Sequence, residues 1–501
     1  MNVDKSFDAD VAKPKNIAII HPDLGIGGAE RLIVDVAIGL QDLKNHHITI
    51  YTSHCDKSHA FEEVANDKLE VVVYGDFLPR KIFGRFTILC ATLRQLYLTM
   101  KVLFLTGSSY DFYIIDSLAA CLPVIWLFNI LLKSKNGFSK VLFYCHFPDL
   151  KLSQNSTGST LKSLYRMPFD YYEQFCYVFP HKLYVNSNFT KQIFAETFDM
   201  LPGLASFTAP TVAYPCIDET IHNDPKLDAK IHAKFSNSKF FLSINRFERK
   251  KNVELAIKSF SELVKREKTP SKSLKLLVAG GYDKLVLENV EYLKDLCTIS
   301  ADFNLQYRVF TDYQEFIDTD LTAECQIYFL PNVSTDLRNS LMKYTAMLLY
   351  TPSFEHFGIV PIEAMKYNTL VLAINNGGPK ESIAPLDDDY EGLKTEKISI
   401  TNDKGTGFLK PADEKIWSNV MECIISMKDS QRAKLGSNGE KIIEKLFTRK
   451  VLTETINEDI VRLSKNSTNL EFQETQRTLY FFLVALGAPF IAIAIFLLYS
   501  L

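Results

Sequence analysis

Two glutamates in the segment TPSFEHFGIVPIEAM, Glu355 and Glu363, lie eight positions apart and flank His356, Gly358 and Pro361. In one continuous helix, at about 100° per residue, they would point about 80° apart and would not share a face. Pro361 instead suits the first turn of a helix, where its missing N–H costs nothing. We therefore predict that Glu355 and His356 lie on a loop, that Gly358 allows a tight turn, and that Glu363 lies in the opening helical turn.

A helix that begins there would direct free N–H groups and the positive end of its dipole into the space beside the two carboxylates. That combination suits a ligand that carries both hydroxyl groups and phosphates. Two glutamates in a chain with 59 acidic residues are weak evidence by themselves. The interpretation therefore depends on what the rest of the chain supplies.

Two further segments follow strand-like runs and carry groups suited to phosphate. HPDLGIGGAERL places Gly25, Gly27 and Gly28 before a helix, where backbone N–H groups can approach an anion, although a plain tight turn fits equally well. The segment has neither the G-x-G-x-x-G dinucleotide pattern nor the ending of a P-loop. SINRFERKKN places Arg246 and Lys251 around a strand-to-helix turn, where two cations can neutralise a diphosphate leaving group; a solvated basic turn is the alternative.

His146, in FYCHFPD, also follows a strand-like run, with Asp149 close behind it. A structural role and a role in a site fit this histidine about equally well. Glycine turns at Gly280–Gly281 and Asn375–Gly378 follow two other runs. Polar and glycine residues thus gather where strands are expected to end.

Composition limits the class of protein. A chain of 501 residues exceeds one ordinary core, and two large domains are expected. Hydrophobic residues make up 47% and charged residues 23%, which is typical of a globular protein, and a net charge of −3 gives no sign of nucleic-acid binding. The nine cysteines include no CxxC pair, which argues against a zinc ribbon or a disulfide framework.

Short apolar runs alternate with helical segments in two successive series, which indicates parallel α/β sheets. Two doubly wound domains that face one another would bind ligands in the cleft between their strand ends. The residues 300–338 fit no clear element and suggest an insertion. The expected strands are Asn16–His21, Ile48–Thr52, Phe112–Ile115, Val141–Cys145, Lys182–Val185, Phe240–Ile244, Leu274–Ala279, Ile327–Leu330, Met347–Tyr350 and Thr369–Ala373.

The predicted organisation has four parts. They are a polar N-terminus (1–15), a first Rossmann-like domain (16–215), a second one (216–465) and a C-terminal apolar segment (479–501). That last segment contains no charge over 23 residues, and as a helix it would span about 34 Å, enough to cross a hydrocarbon core of about 30 Å. Basic residues before it predict a membrane anchor with the domains on the cytosolic side.

Two other apolar stretches are shorter or carry charge. Leu118–Leu132 is too short for an ordinary span and predicts a buried helix, with contact at a membrane surface as the alternative. Phe83–Leu105 contains three basic residues and predicts an amphipathic helix, which could cover the core or rest at a bilayer interface.

Taken together, these motifs closely resemble the retaining glycosyltransferases of family four, which have the GT-B fold. The residues that carry the resemblance are GIGGAER, RFERKKN, EHFGIVPIEAM and NNGGPKE, within a region from about Asn16 to Lys450. A narrower resemblance, to the dolichol-pathway α-1,3/1,6-mannosyltransferase family, is carried by HPDLGIGGAERL, YTSHCDKSHAFEE, VYGDFLPR, FYCHFPD, RMPFDYYEQF and FEHFGIVPIEAM.

The resemblance implies a role for each residue of the second domain's cluster. Arg246 and Lys251 would hold the donor diphosphate, and Glu355 would contact the transferred sugar. Glu363 would bind the ribose hydroxyls, and Gly358 would belong to the same donor-binding segment. The two glutamates would then form a donor clamp rather than an acid/base pair.

Other motif residues receive roles in the same way. Gly27 and Gly28 would approach the donor phosphates or the acceptor, and His146 would lie near the transferred mannose. Gly377 and Gly378 would supply backbone contacts to sugar or phosphate. The first domain would bind the acceptor and the second would bind GDP-mannose.

One motif departs from the family pattern, which has glycine before the arginine and after the lysine of the phosphate loop. Asn245 and Asn252 occupy those positions, which leaves the path of the loop open. Both cations, Arg246 and Lys251, remain. No D-x-D metal motif stands out among these motif residues, so we expect no metal and no separate cofactor, with magnesium dependence left to experiment.

The function implied is GDP-mannose-dependent transfer of an α-1,3 and then an α-1,6 mannose to Man1GlcNAc2-diphosphodolichol, with retained anomeric configuration. Expected partners are GDP-mannose, the dolichyl-diphosphate-linked oligosaccharide, the endoplasmic reticulum membrane and other early dolichol-pathway glycosyltransferases. The catalytic domains would lie on the cytosolic face. Two alternatives stay open: a lipid-linked glycosyltransferase that uses a UDP-N-acetylglucosamine donor, and a non-catalytic membrane scaffold.

Overall fold

The computed structural model describes most of the chain between residues 13 and 465. The described residues are 13–82, 86–106, 110–131, 139–154, 160–199, 201, 207–218, 224–266, 273–322, 324–389, 398 and 400–465. The predicted anchor at 479–501 lies outside them and stays a prediction. The chain divides into unit 1, which runs to Cys216 and resumes at Arg449, and unit 2, Ile217–Thr448.

Unit 1 is built on a parallel sheet in the order β3-β2-β1-β4-β5-β6-β7. Its central strands are apolar throughout because helices cover both faces of the sheet, and a hydrophobic cluster fills the space on each side. The strands are β1 (Asn16–His21), β2 (His47–Thr52), β3 (Glu70–Val73), β4 (Phe112–Asp116), β5 (Lys140–Cys145), β6 (Lys182–Val185) and β7 (Thr211–Val212). The helices are α1 (Gly28–Lys44), α2 (Glu62–Ala65), α3 (Thr87–Thr106), α4 (Leu122–Leu131), α5 (Asp149–Gln154), α6 (Thr160–Cys176), α7 (Asn188–Thr197) and α18 (Arg449–Lys465).

Unit 2 repeats the plan with the order β10-β11-β9-β8-β12-β13-β14, again parallel. The residues 300–338, expected to hold an insertion, instead form regular strand–helix units. The strands are β8 (Lys239–Ile244), β9 (Leu274–Gly280), β10 (Tyr307–Val309), β11 (Ile327–Pro331), β12 (Met347–Tyr350), β13 (Val371–Ile374) and β14 (Gly407–Lys410). The helices are α8 (Pro225–Lys234), α9 (Glu254–Arg266), α10 (Leu287–Asp302), α11 (Tyr313–Asp318), α12 (Thr335–Tyr344), α13 (Ile359–Lys366), α14 (Pro379–Ser382), α15 (Glu414–Ser426), α16 (Asp429–Gly436) and α17 (Asn438–Leu446).

Helix α18 belongs to unit 1, although the sequence analysis assigned its residues to the second domain. It packs against α1, where Arg449 Nη2 lies 2.9 Å from the buried Asp35 carboxylate. The Tyr184 hydroxyl of β6 donates to Asp459 over 2.8 Å. These partners are remote in the chain and fix where the helix packs.

Helix α3 is the one helix in the described part of the chain that is long and apolar enough to cross a membrane by length and composition, and half of its most apolar window is buried. Its exposed face carries Leu93, Met100 and Phe104. The buried face carries Leu98 and Val102, which belong to the core of unit 1. The helix expected from the sequence is confirmed, but its exposed face is mainly apolar and the basic residue Arg94 is buried.

Candidate functional site

The sheet order reverses once in each unit, and the predicted site residues gather at those two places. In unit 2 the reversal falls between β8 and β12, and in unit 1 it falls between β1 and β4. Loops that leave the carboxyl ends of two such strands diverge, and ligands of open α/β sheets bind in the resulting crevice. The topology therefore marks these two strand edges, each within its own unit, as candidate binding sites.

The loop after β8 follows a definite path despite the two asparagines. The Asn245 backbone passes so close to Gly280 that a Cβ on Gly280 would lie 1.8 Å from the Asn245 carbonyl oxygen. Asn252 has φ +49°, a left-handed conformation that asparagine adopts more readily than most residues with a side chain. The loop is thus accommodated by the glycine on β9 and by the tolerance of asparagine for this backbone geometry.

Lys251 ends that loop and pairs with Glu355, which follows β12. Lys251 Nζ lies 2.6 Å from Glu355 Oε2, and the two side chains are 14% and 24% exposed. The Thr351 hydroxyl donates to the Lys251 carbonyl over 2.7 Å and ties the two loops together. A partly buried cation and carboxylate therefore face each other at the β8–β12 reversal.

The other basic residues of the loop pair with carboxylates other than Glu355. Arg246 is 64% exposed and lies 3.2 Å from Glu248 Oε1, which leaves most of its guanidinium open to a ligand. Lys250 pairs with the same glutamate, and Arg249 pairs with Asp295. Arg249 and Lys250 are thus surface residues, whereas Arg246 is a cation within the loop that is free to turn toward a phosphate.

The glycine turn after β13 packs on the Glu355 loop. The Gly378 N–H donates to the Glu355 carbonyl over 2.8 Å. A Cβ on Gly377, where φ is +67°, would lie 2.5 Å from that carbonyl, and a Cβ on Gly378 would lie 2.2 Å from the Phe357 carbonyl oxygen. These two glycines therefore allow the close approach that positions Glu355, and the Gly378 N–H is already engaged within the protein.

The structure confirms that Glu355 and His356 lie on a loop and that Gly358, with φ +84°, turns the chain into a helix. The prediction for Glu363 was wrong: α13 begins at Ile359, so Glu363 is its fifth residue and lies beyond the first turn. Its carboxylate lies 3.1 Å from Arg338 Nη2 on α12. Glu363 is thus oriented by an arginine that sequence reasoning did not select.

In unit 1 the side chains at the β1–β4 reversal form a His–Asp–His cluster. Asp116, at the end of β4, lies 2.7 Å from His21 Nδ1 and 3.0 Å from His146 Nε2. Asp116 and His21 are buried, while His146 is 23% exposed. The cluster joins the ends of β1, β4 and β5, and His146 is its solvent-accessible member.

The electrostatics of this cluster favour charge on its buried members. Burial lowers the pKa of His21, but the Asp116 carboxylate outweighs burial, and the pKa of His21 is raised above its ordinary value, with a further contribution from Glu30. Burial raises the pKa of Asp116, but the two histidines hold it well below its usual range. The buried pair is therefore an ion pair whose strength depends on pH.

His21 and Asp116 are site residues that the sequence analysis missed, although each is the last residue of an apolar strand. The expected neighbour of His146, Asp149, contacts a different residue: its carboxylate lies 2.7 Å from Arg166 on α6. Only the strand-end position of His21 and Asp116 could have signalled them. Their pairing depends on contacts across the sheet.

The first glycine motif opens α1. Gly27 is the N-cap with extended backbone, and α1 begins at Gly28. A Cβ on Gly25 or Gly28 would meet nothing within 4 Å, whereas a Cβ on Gly27 would meet the flexible Glu30 side chain. The fold itself therefore makes no steric demand for glycine at Gly25 or Gly28.

The fold and this site define a class of enzyme: glycosyltransferases of the GT-B type. Residues 225–441 match the family model described as glycosyl transferases group 1. A crystal structure of Anabaena HepE in complex with UDP is similar over 89% of this chain and 100% of that one, with a TM-score of 0.60 and 18% identity. Sucrose-phosphate synthase from Thermosynechococcus elongatus is similar over 90% of this chain and 100% of that one, with a TM-score of 0.62 and 14% identity.

Sequence comparison identifies the family of the chain within this class of enzyme. It is 44% identical to alpha-1,3/1,6-mannosyltransferase ALG2 of Kluyveromyces lactis, over 89% of this chain and 84% of that protein. It is 44% identical to ALG2 of Candida albicans, over 88% and 97%, and 42% identical to ALG2 of Saccharomyces cerevisiae, over 90% and 85%. The chain belongs to the ALG2 family of alpha-1,3/1,6-mannosyltransferases.

Proposed function

We propose that this glycosyltransferase takes GDP-mannose as donor and a dolichyl-diphosphate-linked Man1GlcNAc2 as acceptor, and adds an α-1,3 and then an α-1,6 mannose. The observation that carries the donor assignment is the Lys251–Glu355 pair at the β8–β12 reversal, with the exposed Arg246 on the same loop. Two cations suit a diphosphate, and a carboxylate suits sugar hydroxyls. One donor site in unit 2 then serves both transfers.

The reaction proceeds by front-side attack. An acceptor hydroxyl oxygen forms a bond to the anomeric carbon of mannose as the bond from that carbon to the diphosphate oxygen breaks. The departing diphosphate takes the hydroxyl proton, so no separate base is required. Arg246 and Lys251 stabilise the negative charge that develops on the diphosphate. Attack and departure on the same face retain the anomeric configuration.

The same two cations support a proposal of metal independence. They provide the electrostatic stabilisation that a divalent ion supplies in other diphosphate-cleaving sites. Transfer at full rate in excess chelator is the expected result. Loss of transfer that magnesium restores would defeat the proposal.

Membrane association is proposed for unit 1, on the cytosolic face of the endoplasmic reticulum. Besides the exposed apolar residues of α3, Phe77 is 73% exposed and packs edge-on against Tyr97 of α3, with ring centroids 5.4 Å apart. Lys101 lies over the Tyr97 ring. Aromatic and basic side chains on one helix face suit a bilayer interface, where the lipid part of the acceptor resides.

The test uses the purified full-length chain, GDP-mannose and a lipid-linked trisaccharide in vesicles. We expect a product heavier by two hexoses with one α-1,3 and one α-1,6 linkage, and protein that floats with the vesicles. A product with one added mannose at high enzyme and donor concentrations would contradict the two-transfer proposal. Transfer from UDP-N-acetylglucosamine in place of GDP-mannose would contradict the donor assignment.

The proposed approach of a ligand to the glycine turn before α1 gives a prediction for Gly28→Ala. The fold has room for the methyl group, so stability should be unchanged. A ligand in contact with the Gly28 backbone would be displaced, and transfer should fall about 10- to 100-fold. Gly25→Ala, which also has room, is the matched control and should keep full activity. Equal activity of both variants would mean that no ligand contacts Gly28.

A further inference from the structure

The loop that follows β3 in unit 1 carries an arginine that is held at one nitrogen. Arg80 is 58% exposed, and its Nε lies 3.0 Å from Asp23 Oδ2. Asp23 also accepts a hydrogen bond over 2.6 Å from Nη2 of Arg94, a side chain of α3 that is only 7% exposed. The other acid of the loop, Asp76, pairs with His54 instead. Within the described part of the chain Arg80 has no further ion pair or hydrogen bond, so its two terminal nitrogens can reach a ligand.

The buried Arg94 connects this arginine to the rest of unit 1. Its Nη1 donates to the Leu78 carbonyl over 2.5 Å, which fixes the loop two residues before Arg80. The Asp23 carbonyl oxygen lies 3.1 Å from His21 Nε2, so the same network reaches the His–Asp–His cluster at the β1–β4 reversal. Two guanidinium groups share the single Asp23 carboxylate, which leaves one positive charge uncompensated on the exposed side.

The same loop also contacts an apolar face of α3. Phe77 packs edge-on against Tyr97, which follows Arg94 by three residues, so the two contacts of the loop lie within one turn of the helix. Tyr97 shares its face of the helix with exposed apolar residues at intervals of three and four positions. They are Leu93, Met100 and Phe104. The contacts of the loop thus lead from an apolar face, through Arg94, to an exposed cation and then to the strand ends.

We propose that Arg80 binds the diphosphate of the lipid-linked acceptor, with Arg94 and Asp23 as positioning residues. The inference rests on the proposed function, which gives the acceptor a diphosphate and places the apolar face of unit 1 at the membrane that holds its lipid. In the acceptor the diphosphate joins the lipid to the sugars, and the contacts of Arg80 join the apolar face to the strand ends in the same order. A guanidinium with two free nitrogens matches phosphate oxygens as a bidentate pair. Lys81, the next residue, is exposed and adds a second positive charge.

The test measures mannose transfer by full-length Arg80→Ala in phosphatidylcholine vesicles, with the acceptor and GDP-mannose varied in turn. We expect KM for the lipid-linked acceptor to rise about tenfold, the size of a lost charge-assisted contact, while kcat and KM for GDP-mannose stay within about twofold of wild type. Arg80→Lys should fall between the two, because lysine keeps the charge and loses the bidentate geometry. The melting temperature should match wild type, because the side chain is exposed.

A second measurement separates the diphosphate from the sugars. A polyprenyl diphosphate that carries no sugar should compete with the acceptor, and its inhibition constant should rise about tenfold in Arg80→Ala. The corresponding polyprenyl alcohol has the same lipid and no phosphate, so it should affect the variant and the wild type equally. Unchanged inhibition by the diphosphate in Arg80→Ala would overturn the inference.

Arg462→Ala is the matched control. Arg462 lies in α18 of the same unit, is also 58% exposed and pairs with an aspartate, Asp459, so its removal should leave both KM values unchanged. An unchanged acceptor KM in Arg80→Ala, or an equal rise for acceptor and GDP-mannose, would contradict the assignment. Weaker flotation of Arg80→Ala with acceptor-free vesicles would assign Arg80 to bulk phospholipid and would contradict it as well. Wild-type transfer, measured alongside, reports on the proposed function separately.

Discussion

Replacing Lys251 with alanine is expected to lower mannose transfer about 10²- to 10³-fold without unfolding the protein. The substitution removes the partly buried cation proposed to hold the diphosphate and leaves Glu355 without its partner at 2.6 Å. Loss of one fixed electrostatic group at a reacting centre costs about 10²- to 10³-fold in kcat. Because the Lys251 side chain is partly exposed and lies on a loop, the melting temperature should change little.

The neighbouring lysine is the control for that experiment. Lys250 carries the same charge, is 69% exposed and pairs with Glu248 instead. Lys250→Ala should therefore keep nearly full activity, measured as the initial rate of mannose transfer under the same conditions. Equal losses in the two variants would show a general effect of charge, and unchanged transfer in Lys251→Ala would favour the non-catalytic scaffold.

Among these variants, Asp116→Asn is expected to lower the free energy of unfolding the most. Asp116 is fully buried between His21 and His146. Breaking a buried ion pair by removing one partner costs about 3–5 kcal/mol, because the other charge is left without compensation. In a unit of this size the melting temperature should fall by about 10 °C, as measured by circular dichroism.

The difference in melting temperature between wild type and Asp116→Asn should depend on pH. The pKa of His21 is raised in the folded protein. The stability that the charge on His21 contributes is therefore complete below the ordinary histidine pKa of about 6.5, and it is lost as pH rises through the raised pKa. The pKa of Asp116 is lowered in the folded protein. The stability that its carboxylate contributes is therefore present above about pH 3.9, and it is lost as pH falls through the lowered pKa. The difference in melting temperature should therefore be largest near pH 5–6 and smaller at pH 9.

An exposed histidine–aspartate pair provides the control. His54 Nδ1 lies 2.8 Å from Asp76, but the two side chains are 35% and 58% exposed. Exposed pairs contribute about 0–1 kcal/mol, so Asp76→Asn should shift the melting temperature by only a few degrees at any pH. A loss in Asp116→Asn no larger than this, or one independent of pH, would contradict the ion pair inferred at the β1–β4 reversal.

The sequence predicted the central strands well because those strands are buried on both faces and read as unbroken apolar runs. It missed β3, β7, β10 and β14, which are the four edge strands and are only two to four residues long. Such short strands leave no clear pattern, and this holds even for β14, which is buried. Local periodicity thus predicted the core of each sheet and not its borders.

Long-range contacts account for the other differences between the structure and what the sequence predicted. The partner of Arg449 in α18 is Asp35, 414 positions away, and no local pattern indicates which unit the helix joins. Asp116 is 95 positions from His21 and 30 from His146. In contrast, Lys251 and Glu355 were expected in one site on the strength of motifs at strand ends, and the sheet order places them together.

The central claim is that one donor site in unit 2 performs both transfers. Its most direct test measures Lys251→Ala with two lipid-linked acceptors, one with a single mannose and one that already carries the α-1,3 mannose. We predict that both transfers fall by the same factor, to within about threefold, because both use the same cation to stabilise the leaving diphosphate. Loss of one transfer with retention of the other would contradict a single shared donor site.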